Sequence, residues 1–467
     1  MSSEQFDVTI IGAGPGGYVA AVRGAQLGLK VALVEKDKNL GGTCGLRGCI
    51  PTKALLMSAH YYEKAQHDLA DFGVKVSDVR LAFEDVQKRK NKIVLKNAKG
   101  VEYLMKKNKV TTFKGTARME LPGKVVVAGA DGEQTINTKN IIIATGSVVR
   151  PIPGFETDGR VVVNSDHILE LESVPKSLIV MGSGAVGVEF ASIYARFGAD
   201  VTIVELLPRL MPLEDEEVSK ELEKAFRKKG IKAVVGTKLE KMEKTDAGVR
   251  VTGRNEKGEE VTLEAEMLLV AVGRMPYLEG LGLEGSKIKV ERGAVQVDEY
   301  CRTGEPGVYA IGDVIPTPWL AHLASKEGIL VVEQIAGRQA QPINMRHVPS
   351  CTYCDPEVAS VGLTEAKARE LGYDVKAAKF PFSASGKARI LGEEIGFVKV
   401  VSEKKYDELL GVHIIGPHAT EIIHEAIVAL HLESTAEELG RAIHAHPTVA
   451  ESVMESAEGI HDLTIHF

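Results

Sequence analysis

Residues 6–35 read FDVTIIGAGPGGYVAAVRGAQLGLKVALVE and decide the fold of the first part of the chain. A β-branched run precedes a turn with glycines at Gly12, Gly14 and Gly17, and an Ala-rich stretch then leads to a second apolar run that closes on Glu35. This order of strand, GxGxxG turn, helix, strand and acid is typical of a βαβ unit that binds a dinucleotide. The glycines would give the tight turn, backbone access to the pyrophosphate and close helix packing, and Glu35 would accept from a ribose hydroxyl.

The same pattern returns in residues 177–205, SLIVMGSGAVGVEFASIYARFGADVTIVE, at Gly182, Gly184, Gly187 and Glu205. Each of the four lies 170 residues after its counterpart in the first copy. One offset repeated four times predicts two dinucleotide sites in two domains, and the alternative is a duplication in which one copy no longer binds. Because Glu205 would repel a 2′-phosphate, the second site is expected to take NAD rather than NADP.

Three further strand-like runs end in small residues, as expected where the backbone passes close to a cofactor. IIIATGS (141–147) contains Gly146, LLVAVGR (268–274) contains Gly273, and VYAIGDV (308–314) contains Asp313. The Asp313 carboxylate could hold a sugar-like hydroxyl, although a helix cap is the alternative. Prolines follow the first two runs and indicate crossings between domains.

Composition narrows the class of protein. The chain has 467 residues, enough for about three domains, with a formal charge of −7 and 44% hydrophobic residues. This balance predicts a soluble globular protein without general affinity for nucleic acid. No apolar run reaches the roughly 18 residues of a membrane helix, and the N-terminal sequence indicates a cytoplasmic protein, or a mitochondrial matrix protein numbered after processing.

Two of the five cysteines form a close pair in GGTCGLRGCIPTK (41–53). Cys44 and Cys49 precede Pro51, where a helix is expected to begin, and helix-start N–H groups and Arg47 should favour a thiolate. So small a disulfide loop would stabilise the chain by only about 2 kcal/mol, which favours thiol–disulfide exchange over a structural bridge. A metal half-site and inert thiols are the alternatives.

Together these motifs resemble the pyridine nucleotide-disulfide oxidoreductase family over essentially the whole chain. Within that family the chain is most similar to the NAD-using members that oxidise dihydrolipoamide, because Glu205 replaces the arginines of NADP-using members and the C-terminus carries no extra cysteine. The segment 411–430, GVHIIGPHATEIIHEAIVAL, also resembles their interface segment. The resemblance implies an α/β fold with two Rossmann-like domains and a C-terminal α+β dimerisation domain.

The domains implied are an FAD-binding domain in residues 1–150, an NAD-binding domain in residues 151–275, a second part of the FAD-binding or central domain in residues 276–345 and a dimerisation domain in residues 346–467. The resemblance implies FAD in the first βαβ unit and NAD in the second. It further implies a homodimer that works with the lipoyl domains and acyltransferase core of 2-oxo acid dehydrogenase complexes.

Residue roles follow from the same resemblance. Cys49 would lie on the flavin and Cys44 would exchange with substrate, and His446 would be the acid–base residue, oriented by Glu451 and supplied by the opposite subunit. On the residues alone, His446 could equally be a surface residue or, with His444, part of a metal pair. The implied cofactor contacts, beyond the two glycine loops and their acids, are Gly42, Thr43, Lys53 paired with Glu189, Gly115, Asp313 and Ala321.

Two departures from the family pattern leave the substrate open. Arg47 lies between the redox cysteines, where it could alter the thiolate or the substrate channel. Cys351 and Cys354 form a CxxC pair where the family usually has none; structural thiols are favoured, and a redox or zinc role is the alternative. The alternative enzyme is an NAD(P)H-dependent reductase of another small disulfide. An inactive flavin-bearing scaffold is the alternative from another class.

Overall fold

The computed structural model describes residues 5–467, which divide into two compact units. The first unit comprises the described residues up to Ala54, Glu84–Arg150 and Gly273–Ile343, and the second comprises Leu55–Phe83, Pro151–Val272 and Asn344–Phe467. The division into four segments made from the sequence stays a prediction, since the second unit contains both the expected NAD-binding and dimerisation segments.

The helices are α1 Pro15–Gln26, α2 Gly42–Arg47, α3 Cys49–Glu63, α4 Phe83–Lys107, α5 Ala185–Arg196, α6 Glu216–Lys228, α7 Ala321–Ile335, α8 Glu365–Glu370, α9 Gly386–Leu391, α10 Ala419–His431, α11 Ala436–Arg441 and α12 Glu451–Gly459. The strands are β1 Gln5–Ile11, β2 Val31–Glu35, β3 Thr111–Lys114, β4 Thr116–Glu120, β5 Lys124–Gly129, β6 Gly132–Ile143, β7 Ser147–Val149, β8 Val162–Val163, β9 Ser177–Met181, β10 Asp200–Val204, β11 Lys232–Val234, β12 Thr237–Thr245, β13 Gly248–Asn255, β14 Glu260–Ala265, β15 Met267–Val270, β16 Arg274–Pro276, β17 Val290–Glu291, β18 Ala294–Val295, β19 Val308–Ala310, β20 Ser350–Thr352, β21 Glu357–Gly362, β22 Val375–Pro381, β23 Phe397–Glu403 and β24 Leu409–Gly416.

The first unit is built on a seven-stranded sheet in the order β3-β2-β1-β6-β5-β4, with β19 also paired to β6. The pairs β1–β2, β1–β6, β2–β3 and β6–β19 are parallel, as a βαβ unit requires. The central strands are rich in Val and Ile and buried on both faces, which is typical of a parallel sheet under helices. The glycine loop after β1 therefore lies at the carboxyl end of the sheet, where nucleotides bind in this architecture.

The second unit repeats this arrangement and adds a separate sheet. Its parallel sheet has the order β11-β10-β9-β15-β8, with the second glycine loop directly after β9. The C-terminal segment forms an antiparallel sheet, β20-β21-β24-β23-β22, over which α10 and α12 pack. Five apolar residues share one side of α10: Ile423, Ala426 and Leu430 are buried, and Ile422 and Ile427 are partly buried.

Candidate dinucleotide and dithiol site

The first glycine loop leaves no room for larger side chains. Gly12 has φ +107°, and a Cβ there would lie 2.3 Å from the Ala144 carbonyl oxygen. A Cβ on Gly17 would lie 1.9 Å from the carbonyl oxygen of Gly12, so α1 can approach the loop only with glycine at this position. The Glu35 carboxylate is 7% exposed and accepts from the backbone N–H of Ala13 at 2.8 Å. Glu35 thus ties the end of β2 to the glycine loop, and its remaining lone pairs are available to a ribose.

The second glycine loop has the same construction. Gly182 has φ +104°, and a Cβ on Gly187 would lie 2.0 Å from the Gly182 carbonyl oxygen. The Glu205 carboxylate is 8% exposed and accepts from both the N–H and the hydroxyl of Ser183, at 2.8 and 2.7 Å. The hydroxyl contact is absent from the first loop because the corresponding residue is Ala13. The four positions paired by the 170-residue offset are therefore brought together in each unit.

The thiol pair lies in two consecutive helices, α2 and α3, which follow β2 and are separated by a single residue, Gly48. Cys44 is in α2 and Cys49 is the first residue of α3, and the two thiols are in hydrogen-bond contact. α3 begins two residues before Pro51, the expected start. Pro51 is accommodated because the first N–H groups of a helix have no intrahelical acceptor.

The positive charge that acts on Cys44 comes from Lys53. The hydrogen bond with Cys49, followed by burial, raises the pKa of Cys44, and Lys53 is the cation that opposes this rise. Arg47 is instead held in an ion pair with Asp37. The expectation that Arg47 favours the thiolate stays a prediction, and the ion pair with Asp37 would weaken such an effect.

A network of polar side chains in the first unit connects Asp313, Ser147, Arg274 and Thr43. Asp313 lies in a 3₁₀ turn, Gly312–Val314, and accepts from the Ser147 hydroxyl at 2.5 Å. Burial raises the pKa of Asp313, opposed by the Ser147 hydrogen bond and by Arg274. Arg274 donates to Ser147 Oγ at 2.8 Å and reaches Thr43 Oγ1 at 3.4 Å. Arg274 directly follows Gly273 and was missed from the sequence, although it ends the LLVAVGR run.

A buried carboxylate also escaped sequence analysis. Glu327 in α7 is 1% exposed and accepts from the Gly312 N–H at 2.7 Å and the Thr317 hydroxyl at 2.9 Å. Burial raises the pKa of Glu327, and the two hydrogen bonds oppose this rise. The helix offers no motif for this residue, so only the fold reveals that Glu327 fixes the turn that carries Asp313.

The remaining predicted cofactor contacts of the first unit lie on loops and element starts. Gly42 has φ +58° and Gly115 has φ +148°, and the Gly115 N–H donates to the Glu35 carbonyl at 3.0 Å. Gly146 has φ +70° and accepts from the Tyr277 N–H at 2.9 Å. Ala321 is the first residue of α7. These positions place backbone rather than side chains beside the loop.

Glu189 belongs to the second unit and lies in α5. Its side chain is 4% exposed and accepts from the backbone N–H of Tyr353 at 2.9 Å, in the segment that holds Cys351 and Cys354. Cys354 is buried and donates to the Pro356 carbonyl at 3.2 Å. Burial, followed by Glu189, raises the pKa of Cys354, which favours a structural thiol.

The structure brings His446 and Glu451 together, with Nδ1 of the imidazole 2.9 Å from Oε1. His446 is 80% exposed at its side chain, so the ring is free to face another molecule. Burial acts to raise the pKa of Glu451, but hydrogen bonds from Thr448 and His446 outweigh it and lower the pKa. Pro447 lies outside the following helix, since α12 begins at Glu451. The Glu451 carboxylate accepts from the Thr448 N–H and so orients the histidine from the helix's first residue.

His444 forms a second imidazole–carboxylate pair that the sequence did not predict. Its Nε2 lies 2.8 Å from Glu425 Oε2, and its side chain is only 8% exposed. The hydrogen bond to Glu425 raises the pKa of His444. Among residues 5–467 no group of three or more His, Cys, Asp or Glu side chains is arranged to hold a metal. His444 also contacts the Ala442 carbonyl through Nδ1, at 2.8 Å, so both ring nitrogens have partners within this segment.

Two nucleotide-binding folds in one chain, with a thiol pair after the first glycine loop, define a disulfide oxidoreductase that uses two dinucleotides. The family model for pyridine nucleotide-disulphide oxidoreductases matches residues 6–328, and the model of that family's dimerisation domain matches residues 348–457. The chain belongs to the pyridine nucleotide-disulphide oxidoreductase family.

Known relatives narrow the comparison. The chain is 47% identical to dihydrolipoyl dehydrogenase of Bacillus subtilis (strain 168), over 99% of both chains. It is 42% identical to mitochondrial dihydrolipoyl dehydrogenase of Pisum sativum, over 99% of this chain and 93% of that one. The crystal structure of LpdA from Mycobacterium tuberculosis superposes with a TM-score of 0.90 at 25% identity, covering 97% of this chain and 99% of that chain. No helix in residues 5–467 is long and apolar enough to cross a membrane.

Proposed function

We propose that this protein is a flavoprotein that oxidises dihydrolipoamide to lipoamide and reduces NAD⁺, as a component of 2-oxo acid dehydrogenase complexes. The observation that carries the proposal is the contact between the thiols of Cys44 in α2 and Cys49 at the start of α3, two helices that follow the first βαβ unit. The dihydrolipoyl dehydrogenases at 42–47% identity support the same reaction.

The residues of both units fit a dinucleotide. Each loop keeps glycine where a Cβ would strike the backbone, and each leaves an acid beside the loop for a ribose. Gly12, Gly14, Gly17 and Glu35 would hold FAD in the first unit, with Asp313 available to its sugar-alcohol chain. Gly182, Gly184, Gly187 and Glu205 would hold NAD in the second unit. The two cofactors would supply the two-electron chemistry that carries reducing equivalents from the thiols to NAD.

The chain's own residues carry out the sulfur chemistry. His446 of the partner subunit takes a proton from one substrate thiol, with Glu451 holding its tautomer through Nδ1. The resulting thiolate attacks Cys44 Sγ of the oxidised pair, and Cys49 leaves as a thiolate at the start of α3, where helix N–H groups favour negative charge. The second substrate thiol then attacks the substrate sulfur of the mixed disulfide, which breaks its bond to Cys44 and releases lipoamide. Cys44 takes the proton of this second thiol, while the first proton stays on His446.

A homodimer follows from this division of labour. The dimerisation domain matches residues 348–457, and the exposed His446 ring lies within it. In the proposed dimer each subunit supplies the base for the other's thiols. The working partners are lipoyl domains and an acyltransferase core, and the proposed compartment is the cytoplasm, or the mitochondrial matrix as in the relatives named mitochondrial.

A substrate panel tests the proposal. The purified flavoprotein is assayed in both directions with lipoamide, glutathione disulfide and coenzyme A disulfide, each with NAD and NADP. The proposal expects the highest kcat/KM for lipoamide with NAD. A preference for another disulfide would overturn it in favour of a reductase of that disulfide.

A further inference from the structure

α4 has two unlike faces. One face is buried against the first unit and includes Ala98, Val101 and Met105. The other carries a row of exposed lysines, here named the lysine stripe: Lys88, Lys92, Lys96, Lys99 and Lys106. The spacings of four, four, three and seven residues keep these side chains on one side of a helix, over about 27 Å of its length.

The lysine stripe is largely unneutralised. Lys88 pairs with Glu84 at 2.7 Å, whereas the other four lysines form no ion pair within residues 5–467. α4 holds eight Lys and Arg residues against three Asp and Glu residues. The whole chain, by contrast, has a formal charge of −7. Because the rest of the chain is net negative, an anionic partner would be attracted to the lysine stripe more than to other surfaces.

Two large apolar side chains lie among the lysines. Leu95 is 47% exposed and Tyr103 is 63% exposed, and their spacing from Lys88 places both on the stripe face. Tyrosine is enriched at protein interfaces, where apolar contact supplies affinity and charge supplies orientation. A face that only kept the protein in solution would not need these two side chains.

α4 runs beside both helices that carry the thiols. Arg89 donates to the carbonyl of Ala54 in α3 at 3.1 Å. Eight residues further on, the Asn97 side chain lies next to α2, where a Cβ on Gly45 would be 3.6 Å from Asn97 Nδ2. The central lysines of the stripe, Lys92 and Lys96, lie between these two contacts along the helix. The lysine stripe is therefore carried by a helix that packs directly against the two helices holding Cys44 and Cys49.

We propose that the lysine stripe docks an acidic face of the protein domain that carries the dihydrolipoyl group. This inference rests on the proposed function and names how its protein-borne substrate is recognised. Charge complementarity raises the rate of encounter by about 10- to 1000-fold at low ionic strength, an advantage that a free, uncharged dihydrolipoamide would not share. Leu95 and Tyr103 would then contact the domain once it is aligned.

The experiment compares two substrates on the intact flavoprotein. One is free dihydrolipoamide, and the other is a purified dihydrolipoyl domain with a net negative charge. The variant Lys92→Glu, Lys96→Glu, Lys99→Glu is expected to lower the ratio of kcat/KM for the domain to kcat/KM for the free compound by about 10-fold or more at low salt. The wild-type ratio should fall with added salt, and the variant's ratio should not.

A matched control has the same change in charge at exposed lysines elsewhere: Lys238→Glu, Lys257→Glu, Lys287→Glu. An equal loss in the control, or an unchanged ratio in the stripe variant, would overturn the docking proposal. Tyr103→Ala keeps the charge and should lower the ratio without removing its salt dependence. Failure of wild type to oxidise free dihydrolipoamide would instead refute the proposed function, so the two failures are distinguishable.

Discussion

The two glycine loops share a sequence pattern but differ in how they are covered. In the first loop a Cβ on Gly42 would lie 2.5 Å from Gly14, and a Cβ on Gly328 of α7 would lie 2.6 Å from the Gly16 carbonyl oxygen. In the second loop Gly184, Ala185 and Val186 are exposed, and a Cβ on Gly184 would meet no atom within 4 Å. The first loop is enclosed by its own unit and the second faces outward.

This difference matches two ways of using a nucleotide. An enclosed loop suits a cofactor that stays bound through many turnovers, because the covering segments must move before it leaves. An open loop suits a cosubstrate that binds and dissociates in each cycle. We infer that the neighbours of each loop, rather than the glycine pattern, determine how long its nucleotide is retained.

The largest effect is expected from alanine at the third glycine of each loop. Gly17→Ala and Gly187→Ala create the same backbone clash, at 1.9 and 2.0 Å. Each should lower the free energy of unfolding of its unit by about 4 kcal/mol or more. Gly17→Ala should lose bound flavin, measured by absorbance after gel filtration, whereas Gly187→Ala should keep flavin and lose NAD reduction. Loss of flavin from both would remove the distinction between the loops.

A smaller effect is expected from alanine at Gly42 and Gly184, where one substitution disturbs packing and the other only occupies space meant for the nucleotide. Gly42→Ala puts a Cβ against Gly14 at φ +58°, so the melting temperature and flavin retention should both fall. Gly184→Ala meets open space and should leave the melting temperature unchanged, while KM for NAD rises about 10-fold because the Cβ occupies the pyrophosphate's approach. A normal KM in Gly184→Ala would contradict the assignment of this loop to NAD.

The acids should then separate the two nucleotides by specificity. Glu205→Gln removes the charge that repels a 2′-phosphate and should reduce the preference for NAD over NADP about 10-fold, measured as a ratio of kcat/KM values. Ser183→Ala is the control, because it removes only the hydroxyl contact to Glu205 and makes the second loop resemble the first. Its nucleotide preference should stay within about 3-fold of wild type. A larger shift in the control would show that charge is not the determinant.

The smallest effect is a pH dependence of stability that arises from Glu327 in the first unit. Because burial raises the pKa of Glu327 above its ordinary 4.5, the folded chain holds this proton to higher pH than the unfolded chain. The group therefore costs stability as pH rises from about 4.5 through the folded pKa. Glu327→Gln should remove this cost, so its melting temperature relative to wild type should increase by about 2 °C between pH 4.5 and pH 8.

Glu333→Gln provides a control on the same helix. The Glu333 carboxylate pairs with Arg23 at 2.6 Å. Because Glu333→Gln removes this ion pair, the melting temperature at pH 8 should fall slightly. A fall in the relative melting temperature of Glu327→Gln between pH 4.5 and pH 8 would contradict the assigned direction.

Local patterns in the sequence predicted the loops, the acids and the thiol pair. Gly12 has a positive φ, and Gly17 lies too close to the Gly12 carbonyl for any side chain, so the pattern itself carries the structure. The family resemblance added His446 and Glu451, through the HPT-x-x-E motif that both belong to, and the two side chains are in contact. All of these residues lie either close together in sequence or within one βαβ unit, so a local motif could identify them.

The contacts that sequence could not supply join distant segments. Glu327 reaches Gly312 and Arg274 reaches Thr43 only through tertiary packing, and no local periodicity marks either residue. Arg47 was assigned to the thiols because it lies between them, and only the fold shows its ion pair with Asp37. The enclosure of the first loop by Gly42 and α7 likewise becomes visible only once the fold is known.

The most direct test of electron passage through the thiol pair is an anaerobic titration of the purified flavoprotein with dihydrolipoamide, for the wild type and for Cys49→Ser. The wild type should take up two electrons and develop a long-wavelength thiolate–flavin band, and Cys49→Ser should show no band and no NAD reduction. Full NAD reduction by dihydrolipoamide in Cys49→Ser would contradict the account.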